Sequence, residues 1–329
     1  MSPGPHQLSL LPADPTPSLR VVTEAVRTAG PDGLPGARRL ADAARYQEIH
    51  VRAALADVRA PSMPFRWALN PYRGCTHACE YCYARKYQRH LELGAGDDFS
   101  SVILVKTNLP EVLARELARR TWTRGAVAVG TATDPYQPIE GRYRITRRAI
   151  EVLTRARTPF HIVTKGPLVV RDRDLLADAA RVVACRVYVS VPTVDDSAWS
   201  RLEPGTAPPA QRLRAVRQLI DAGIDAGVLM MPLVPGLTTS RAIVTRTLEA
   251  IAGAGARFVG ANVARFEQGA RDHFFGFLDR EYPALADGYR RLYARGRPDP
   301  GYVREIHGMV HAAAARLGLE RPDQATGAP

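Results

Sequence analysis

Lysine is scarce in this 329-residue chain. Only Lys86, Lys106 and Lys165 are present, so all the other cations among its 45 lysine and arginine residues are arginine. Against 33 acidic residues this gives a formal net charge of +12, a balance that favours polyanionic partners such as nucleic acid. Arginine excess is also typical of coding bias, so charge alone leaves nucleic-acid binding open. The scarcity makes each lysine conspicuous.

Long apolar runs are absent as well. The longest stretch without a charged residue is Ala226–Ser240, and two prolines, Pro232 and Pro235, interrupt it. A membrane-spanning helix needs about 18 or more apolar residues, and a secretory signal needs a basic region followed by an apolar run. The sequence has neither, and therefore predicts a cytoplasmic protein with no membrane partner.

Cysteine is rare too, and its placement is informative. Four cysteines are too few for a disulfide scaffold, but Cys75, Cys79 and Cys82 form a C-x3-C-x2-C pattern. Thiolates at this spacing in a short loop can converge on one face of an iron–sulfur cluster. Cys185 lies far along the chain in an apolar run and is more typical of a buried hydrophobe. Three thiolates on a four-iron cluster leave one iron open to a small molecule.

Two alternatives compete for the same loop. His77 could complete a Cys3His zinc site, although it sits between the cysteines, where ligation would strain the loop. Cys79 and Cys82 could instead form a redox pair, but that reading leaves Cys75 unexplained.

The rest of the chain alternates short apolar runs with longer amphipathic ones. Such alternation predicts a buried parallel sheet, either doubly wound or a barrel, with its chemistry at the carboxyl ends of the strands. We also predict a strand within Trp67–Gly74 and a helix over Arg38–Arg59. The remaining predicted strands are Ser101–Lys106, Ala126–Thr131, Phe160–Lys165, Arg186–Val191, Val228–Leu233 and Arg257–Val263, and the helices between them are Pro110–Arg120, Ile145–Ala156, Arg173–Val182, Ala210–Ala222 and Ser240–Ala252.

The segment Asn70–Arg85, NPYRGCTHACEYCYAR, resembles the cluster loop of radical S-adenosylmethionine (SAM) enzymes, in particular the spore photoproduct lyase-like branch. This resemblance implies an α/β fold with a partial (β/α)6 barrel. We expect a flexible N-terminal tail at 1–45, the barrel at 46–265, a C-terminal helical extension at 266–320 and a frayed tail at 321–329.

The resemblance also implies the chemistry. A [4Fe–4S] cluster would be held by Cys75, Cys79 and Cys82, and its fourth iron would chelate SAM. One electron from a flavodoxin- or ferredoxin-type donor would cleave SAM to methionine and a 5′-deoxyadenosyl radical, which abstracts hydrogen from substrate. The substrate is unknown, with nucleic acid left open. The alternative function is an iron–sulfur nucleic-acid-binding protein whose cluster is only structural.

Residues at the predicted strand ends fit a SAM pocket. Asp134 and the hydroxyl of Thr133 suit the methionine ammonium, and Lys165 suits the carboxylate. Ser190 corresponds to a further SAM contact in the resembling enzymes. Tyr81 and Tyr83 flank Cys82 and could pack on the cofactor. Solvated loops and ordinary core packing remain the alternatives for all of these residues.

One position departs from the lyase pattern. The lyases have a hydrogen-donating cysteine where this chain has Thr131, and a threonine O–H is a poor hydrogen-atom donor. We therefore do not predict thymine-dimer repair. Loop residues that could face the substrate are Tyr136, Gln137, Asn262, Arg265 and His273.

Overall fold

The computed structural model describes residues 40–59, 63, 65–91, 95–267 and 269–320. Residues 1–39 of the predicted N-terminal tail and the predicted tail at 321–329 lie outside this range. The strands of the described residues, in chain order, are β1 (Arg45–Ile49), β2 (Leu55–Asp57), β3 (Trp67–Leu69), β4 (Tyr72–Arg73), β5 (Val102–Lys106), β6 (Val127–Val129), β7 (Phe160–Thr164), β8 (Cys185–Ser190), β9 (Asp225–Leu233) and β10 (Val259–Val263).

Seven of these strands form the main sheet, in the order β10-β9-β8-β7-β6-β3-β2. From β3 to β10 neighbouring strands are parallel and follow the order of the chain, whereas a doubly wound sheet reverses its order part-way. Strand β2 adds an antiparallel edge. Because β10 and β2 are the two edges, the sheet of the described residues does not close. Six parallel strands wound in one direction are what the resemblance implied.

Helices connect and cover the strands. The α-helices with defined bounds are α1 (Asp98–Ser101), α2 (Leu109–Leu117), α3 (Glu140–Tyr143), α4 (Ile145–Arg155), α5 (Arg173–Ala180), α6 (Asp196–Leu202), α7 (Pro209–Asp221), α8 (Arg241–Gly253), α9 (Ala270–Glu281), α10 (Pro283–Leu292) and α11 (Pro300–Arg316), and 3₁₀ helices span Tyr83–Leu91 and Pro167–Asp172. Among the described residues no helix is both long and apolar enough to cross a bilayer.

The two faces of the main sheet differ in burial. On β7, Phe160 and Ile162 are buried in the core, whereas His161 and Val163 between them are only half-buried. The parallel register pairs Val163 with Tyr188, so the half-buried face continues onto β8. That face ends at Ser190 and at Lys165, the first residue after β7. The polar residues are therefore at the carboxyl ends of the strands, as predicted.

The predicted helix over Arg38–Arg59 is wrong. Of its described residues, 40–59, only 40–43 are helical, and β1 and β2 lie in the part that follows. Strand β1 pairs in parallel with β5, and the hydroxyl of its buried Tyr46 donates to the Ala41 carbonyl. This long-range pairing outweighs local helix propensity. The predicted strand Ser101–Lys106 is confirmed as β5, but it lies in a second sheet, β1-β5-β4, and not in the main one.

The strand expected within Trp67–Gly74 provides β3, the first parallel strand of the main sheet. The predicted domain boundaries stay predictions. Within the predicted C-terminal extension, Phe274 of α9 and Tyr293, just after α10, pack in one apolar cluster with Cys79 and Tyr81. The helices of this extension therefore help to bury the cysteine loop.

Candidate functional site

The cysteine loop follows β4 and brings its three thiols together. Cys75 and Cys79 are buried and Cys82 is half-buried, packing against the apolar clusters that contain the other two. Burial raises the pKa of Cys79 well above its usual value, and the charges of Cys82 and Cys75 raise it further. Burial, and then the charge of Cys75, also raise the pKa of Cys82. The charge of Cys75 thus reaches both Cys79 and Cys82, so the three thiols lie close together.

Arg85 fixes the cysteine loop through hydrogen bonds to its carbonyl groups. Its guanidinium is almost fully buried and donates to the carbonyls of Cys79 and Ala78 at 3.1 Å. It also donates to the carbonyls of Ala95 and Gly96 at 3.1 and 2.8 Å. A buried arginine with its donors satisfied by backbone carbonyls fixes the path of the loop, because losing these bonds would leave a desolvated charge.

The end of α6 and the turn that follows it also contact the cysteine loop. The N–H of Glu80 donates to Leu202 O at 3.0 Å, and the N–H of Gly205 donates to His77 O at 3.1 Å. A Cβ placed on Gly205 would lie 2.1 Å from Thr76 O, so only glycine allows this close backbone approach. The loop that carries the cysteines is therefore held by backbone contacts on this side.

Gln137 and Thr133 connect the loop to the end of β6. Gln137 Oε1 accepts from the Thr76 N–H at 3.1 Å, while its Nε2 donates to Gly74 O and to Thr133 Oγ1. Thr133 Oγ1 in turn donates to Gly74 O at 2.6 Å. The expectation that Gln137 and Tyr136 face substrate is wrong, because both are buried in the interior. Their polar atoms bond to the scaffold, with the Tyr136 hydroxyl donating to Asp172.

Asp134 lies at the centre of the strand-end residues. One oxygen accepts from Thr164 Oγ1 at 2.7 Å, and the other accepts from the Lys165 N–H at 2.6 Å. His77 Nδ1 lies 3.3 Å from the same carboxylate. Burial opposes ionisation of Asp134, but the charge of His77 and these donors outweigh it and lower the pKa of the carboxyl. Asp134 is thus a buried carboxylate that joins the cysteine loop to β7.

Lys165 and Ser190, predicted from separate strands, are in contact. Lys165 Nζ donates to Ser190 Oγ at 2.5 Å, and Ser190 Oγ donates onward to Met231 O at 3.1 Å. The ammonium also lies 5.7 Å from the centre of the Tyr81 ring. Lys165 retains a small exposed fraction, 14% of its side chain. The ammonium is therefore held in place on a side chain that keeps a small contact with solvent.

Glu203 and Arg212 are two site residues that the sequence analysis missed. Lys165 Nζ lies 3.3 Å from Glu203 Oε1, and the same carboxylate accepts from the Tyr81 hydroxyl and from Arg212 Nη2. Burial would raise the pKa of Glu203, but Arg212 and then Lys165 outweigh it and lower that pKa to about 2. Glu203 lies in a Glu-Pro-Gly turn, which predicts a loop but gives no sign that the carboxylate returns to Lys165.

The zinc alternative gains no support from the geometry. Across the described ranges, no three His, Cys, Asp or Glu side chains are arranged as ligands of a single metal ion. Buried His77 faces Asp134, and although burial favours its neutral form, Asp134 and then Cys75 raise its pKa to about 10. His77 Nδ1 therefore has a carboxylate partner in Asp134, and a four-iron cluster held by the three thiols needs no ligand from it.

The donor set fits an iron–sulfur cluster. Three free thiols from one buried loop are the ligands that such clusters use, and Cys185 is on β8 rather than in the loop. Metal coordination requires thiolates, so cluster assembly at these buried thiols would release protons. The arrangement can therefore supply three ligands from Cys75, Cys79 and Cys82.

Tyr83 and Thr131 meet at the exposed edge of the site. Tyr83 is 42% exposed and its hydroxyl donates to the Thr131 carbonyl. Thr131 Oγ1 accepts from the side chain of Asn70 at 3.4 Å. Tyr81, by contrast, is buried against Glu203. The two tyrosines that flank Cys82 thus have different surroundings, one in the interior and one near solvent.

Of the other residues expected to face substrate, three are accessible. Asn262 is half-buried on β10, Arg265 is exposed, and His273 on α9 is half-buried. His273 Nε2 is 2.7 Å from Glu80 Oε2, so it joins the C-terminal helices to the cysteine loop. This contact gives His273 a structural partner within the loop.

Comparison with known proteins agrees with this geometry. The sequence model of the Radical SAM superfamily matches residues 69–248, more than half of the chain. The chain belongs to the radical SAM superfamily. It is accordingly a radical SAM enzyme, and family membership implies a [4Fe–4S] cluster and SAM as its cofactors. Radical SAM enzymes in general also need a reductant.

Relatives match this sequence over half of its length or more. An uncharacterised protein of Mycobacterium tuberculosis is 39% identical over 83% of this chain and 84% of its own. A radical SAM Nα-GlyT isomerase of Pseudomonas phage M6 is 27% identical over 51% of this chain and 33% of its own.

Solved structures of spore photoproduct lyase have the same fold. A mutant of that enzyme with bound AdoMet and dinucleoside spore photoproduct superposes with a TM-score of 0.64, at 18% identity, over 87% of this chain and 84% of the enzyme. At this identity the likeness concerns the fold alone.

Proposed function

We propose that Cys75, Cys79 and Cys82 of this radical SAM enzyme hold the [4Fe–4S] cluster and that the neighbouring strand ends hold SAM. One observation carries the proposal. The Tyr81 hydroxyl of the cysteine loop donates to the Glu203 carboxylate, and Lys165 Nζ lies 3.3 Å from the same carboxylate, so the loop and the lysine ammonium form one site. This site lies at the carboxyl ends of parallel strands, where α/β folds place their chemistry.

The bound cofactors supply reductive cleavage of SAM to methionine and a 5′-deoxyadenosyl radical that abstracts hydrogen from substrate. The chain supplies binding and orientation. Lys165 offers a compact ammonium to the SAM carboxylate, and Ser190 and Glu203 hold that ammonium in place. Asp134 and Thr133 stand at the end of β6 for the SAM ammonium, and Tyr81 and Tyr83 border the cofactor.

The protein also excludes water from the cysteine loop. Cys79 and Tyr81 pack in an apolar cluster with stacked aromatic rings, Phe266 and Phe274, whose centres are 4.4 Å apart. A low-dielectric enclosure limits the access of water and oxygen to a reactive radical. Apolar packing on this side is consistent with radical chemistry.

The substrate is not assigned, and nucleic acid stays open as a class because of the +12 charge. We do not propose repair of spore photoproduct, since Thr131 stands where those lyases have their hydrogen-donating cysteine. We propose a low-potential flavodoxin- or ferredoxin-type protein as the electron donor and the reducing cytoplasm as the location.

The rival function is a nucleic-acid-binding protein whose cluster is only structural. A structural cluster has no use for a partly exposed lysine held by a buried carboxylate beside the thiols. That rival predicts tight, steeply salt-dependent nucleic-acid binding and no requirement for SAM.

Anaerobic reconstitution with iron and sulfide, followed by reduction in the presence of SAM, tests the proposal. We expect 5′-deoxyadenosine and methionine in equal amounts, and deuterium in 5′-deoxyadenosine when a correct deuterated substrate is present. Fully loaded protein that never cleaves SAM would favour the structural-cluster alternative.

A further inference from the structure

A cavity lies at the opposite end of the main sheet from the cysteines. It is bordered by the ends of α2 and α4 and by the connections that lead into β6 and β7. These two strands begin here, since the Val127 N–H donates to Pro159 O at 2.9 Å. The Asp134 and Lys165 site follows the other ends of the same strands. The cavity is therefore separate from the proposed SAM site.

Four arginines surround this cavity, Arg119, Arg124, Arg155 and Arg157. All four are exposed, and none forms an ion pair with a carboxylate of the described residues. No acidic side chain of that part of the chain lines the cavity. Guanidinium groups that line one cavity without a counter-ion repel one another and raise the local concentration of anions.

The remaining lining is apolar and includes an aromatic surface. Trp122 borders the cavity, and its Nε1 donates to Thr158 Oγ1 at 3.1 Å, which fixes the indole. Leu117 and Val152 contribute aliphatic surface. The cavity has a volume of about 470 Å³, within the range of small-molecule sites. An apolar wall beside convergent arginines matches a ligand with a planar or apolar part and several negative charges.

We propose that this cavity binds a nucleoside polyphosphate. Arginine presents planar, paired donors that match phosphate oxygens, and four of them can satisfy more than one phosphate group. Trp122 would border the base or sugar. This assignment is independent of the SAM chemistry, because no residue of the cavity belongs to the cysteine loop or to the strand ends that follow it.

Arg155 could instead serve only to stabilise its helix, and a control variant must account for that role. Arg155 occupies the last turn of α4, where a cation interacts favourably with the helix dipole, and Arg316 occupies the equivalent place in α11. Both side chains are exposed, but only Arg155 lines the cavity. Charge reversal at either position therefore removes the same kind of helix-end interaction, and the Arg155 variant also changes the cavity.

Isothermal titration calorimetry with ATP at low salt tests the proposal. We expect wild-type binding that weakens as NaCl is added, a loss of at least about ten-fold in affinity in Arg155→Glu, and a change below about two-fold in Arg316→Glu. Arg155→Gln, which removes the charge without reversing it, should give an intermediate loss. Circular dichroism melts confirm that each variant is folded before titration.

Two further measurements test where ATP binds and whether the site prefers a free nucleotide to nucleic acid. ATP should quench tryptophan fluorescence in the wild type, and Trp122→Phe should lose that quenching while calorimetry still detects binding. A single-stranded oligonucleotide separates a free nucleotide from a nucleic-acid backbone. No heat with ATP, equal losses in Arg155→Glu and Arg316→Glu, or Arg155-dependent binding of the oligonucleotide alone would each overturn the proposal.

Discussion

Glu203 Oε1 lies 3.3 Å from Lys165 Nζ, although the two residues are far apart in the chain and lie on different connections of the sheet. The carboxylate is buried and is shared with Arg212, so one anion faces two cations. Together, Glu203, Lys165 and Arg212 carry a net positive charge, which suits the carboxylate of SAM. The arrangement connects the stability of the fold to the electrostatics of the proposed site.

Removing Arg212 should destabilise the protein strongly. Arg212→Met leaves Glu203 with only one of its two cationic partners in a buried position, so we expect a loss of about 3–5 kcal/mol in the free energy of unfolding. The exposed pair Arg246–Asp195, at 3.2 Å, provides the control, and Arg246→Met should cost less than about 1 kcal/mol. Urea denaturation measures both. Equal losses in the two variants would show that the buried pair contributes no more to stability than the exposed pair.

Replacing individual cysteines with alanine distinguishes those that bind the cluster from one that only packs in the core. We expect Cys79→Ala to abolish both the iron–sulfur absorbance and SAM cleavage, because three ligands are needed to hold the cluster. Cys185 is a buried free cysteine on β8, and Cys185→Ala should retain iron and activity. Iron and sulfide analysis after anaerobic reconstitution checks both variants. Retained cleavage in Cys79→Ala would contradict the ligand assignment.

Lys165 should affect SAM binding more than cluster binding. Lys165→Met removes a charge-assisted contact worth about 1.5–3 kcal/mol, so we expect SAM affinity to fall roughly ten- to hundred-fold. Iron content should remain unchanged. Lys86 is the matched control, because it lies near the loop and pairs with Glu267 at 2.6 Å, but not with the strand ends. Equilibrium dialysis with labelled SAM measures the difference, and comparable losses in Lys86→Met would count against the assignment.

Gly205→Ala tests the close approach of backbone to the cysteine loop. The new Cβ would meet Thr76 O, so we expect a loss of about 1–3 kcal/mol in stability and reduced iron retention. Gly253→Ala, where a Cβ meets nothing within 4 Å, should change stability by less than about 1 kcal/mol. Thermal melts and iron analysis report the two effects. Full iron retention in a folded Gly205→Ala variant would show that the loop tolerates displacement.

His161 should make stability depend on pH. Burial, and then the charge of Arg186, lower its pKa to about 4, against about 6.5 in an unfolded chain. The unfolded state thus binds more protons between these values, and stability present above pH 6.5 is lost as the pH falls toward 4. The contribution is at most about 3 kcal/mol.

The comparison of wild type with His161→Gln isolates this contribution. Urea denaturation at pH 7.5 and pH 4.5 should give a smaller pH dependence in the variant. His50→Gln, at an exposed histidine, should behave like the wild type. An unchanged pH dependence in His161→Gln would show that another group is responsible.

Much of this fold could be predicted from the sequence, because buried parallel strands are continuous apolar runs. The contact between Lys165 and Ser190 could also be predicted, because the carboxyl ends of neighbouring parallel strands lie together. The position of Glu203 beside Lys165 and the pairing of β1 with β5 could not be predicted, because both depend on contacts between distant segments that leave no local periodicity. Gln137 has the polarity of a site residue, and only its burial shows that it holds the loop.

The central claim is that three thiols of this chain hold a four-iron cluster with one iron left for SAM. Mössbauer spectroscopy of reconstituted, ⁵⁷Fe-labelled protein, with and without SAM, tests it most directly. We expect a cluster in which one of the four irons changes its spectrum when SAM is added. Four irons that are all coordinated by side chains and do not respond to SAM would contradict the account.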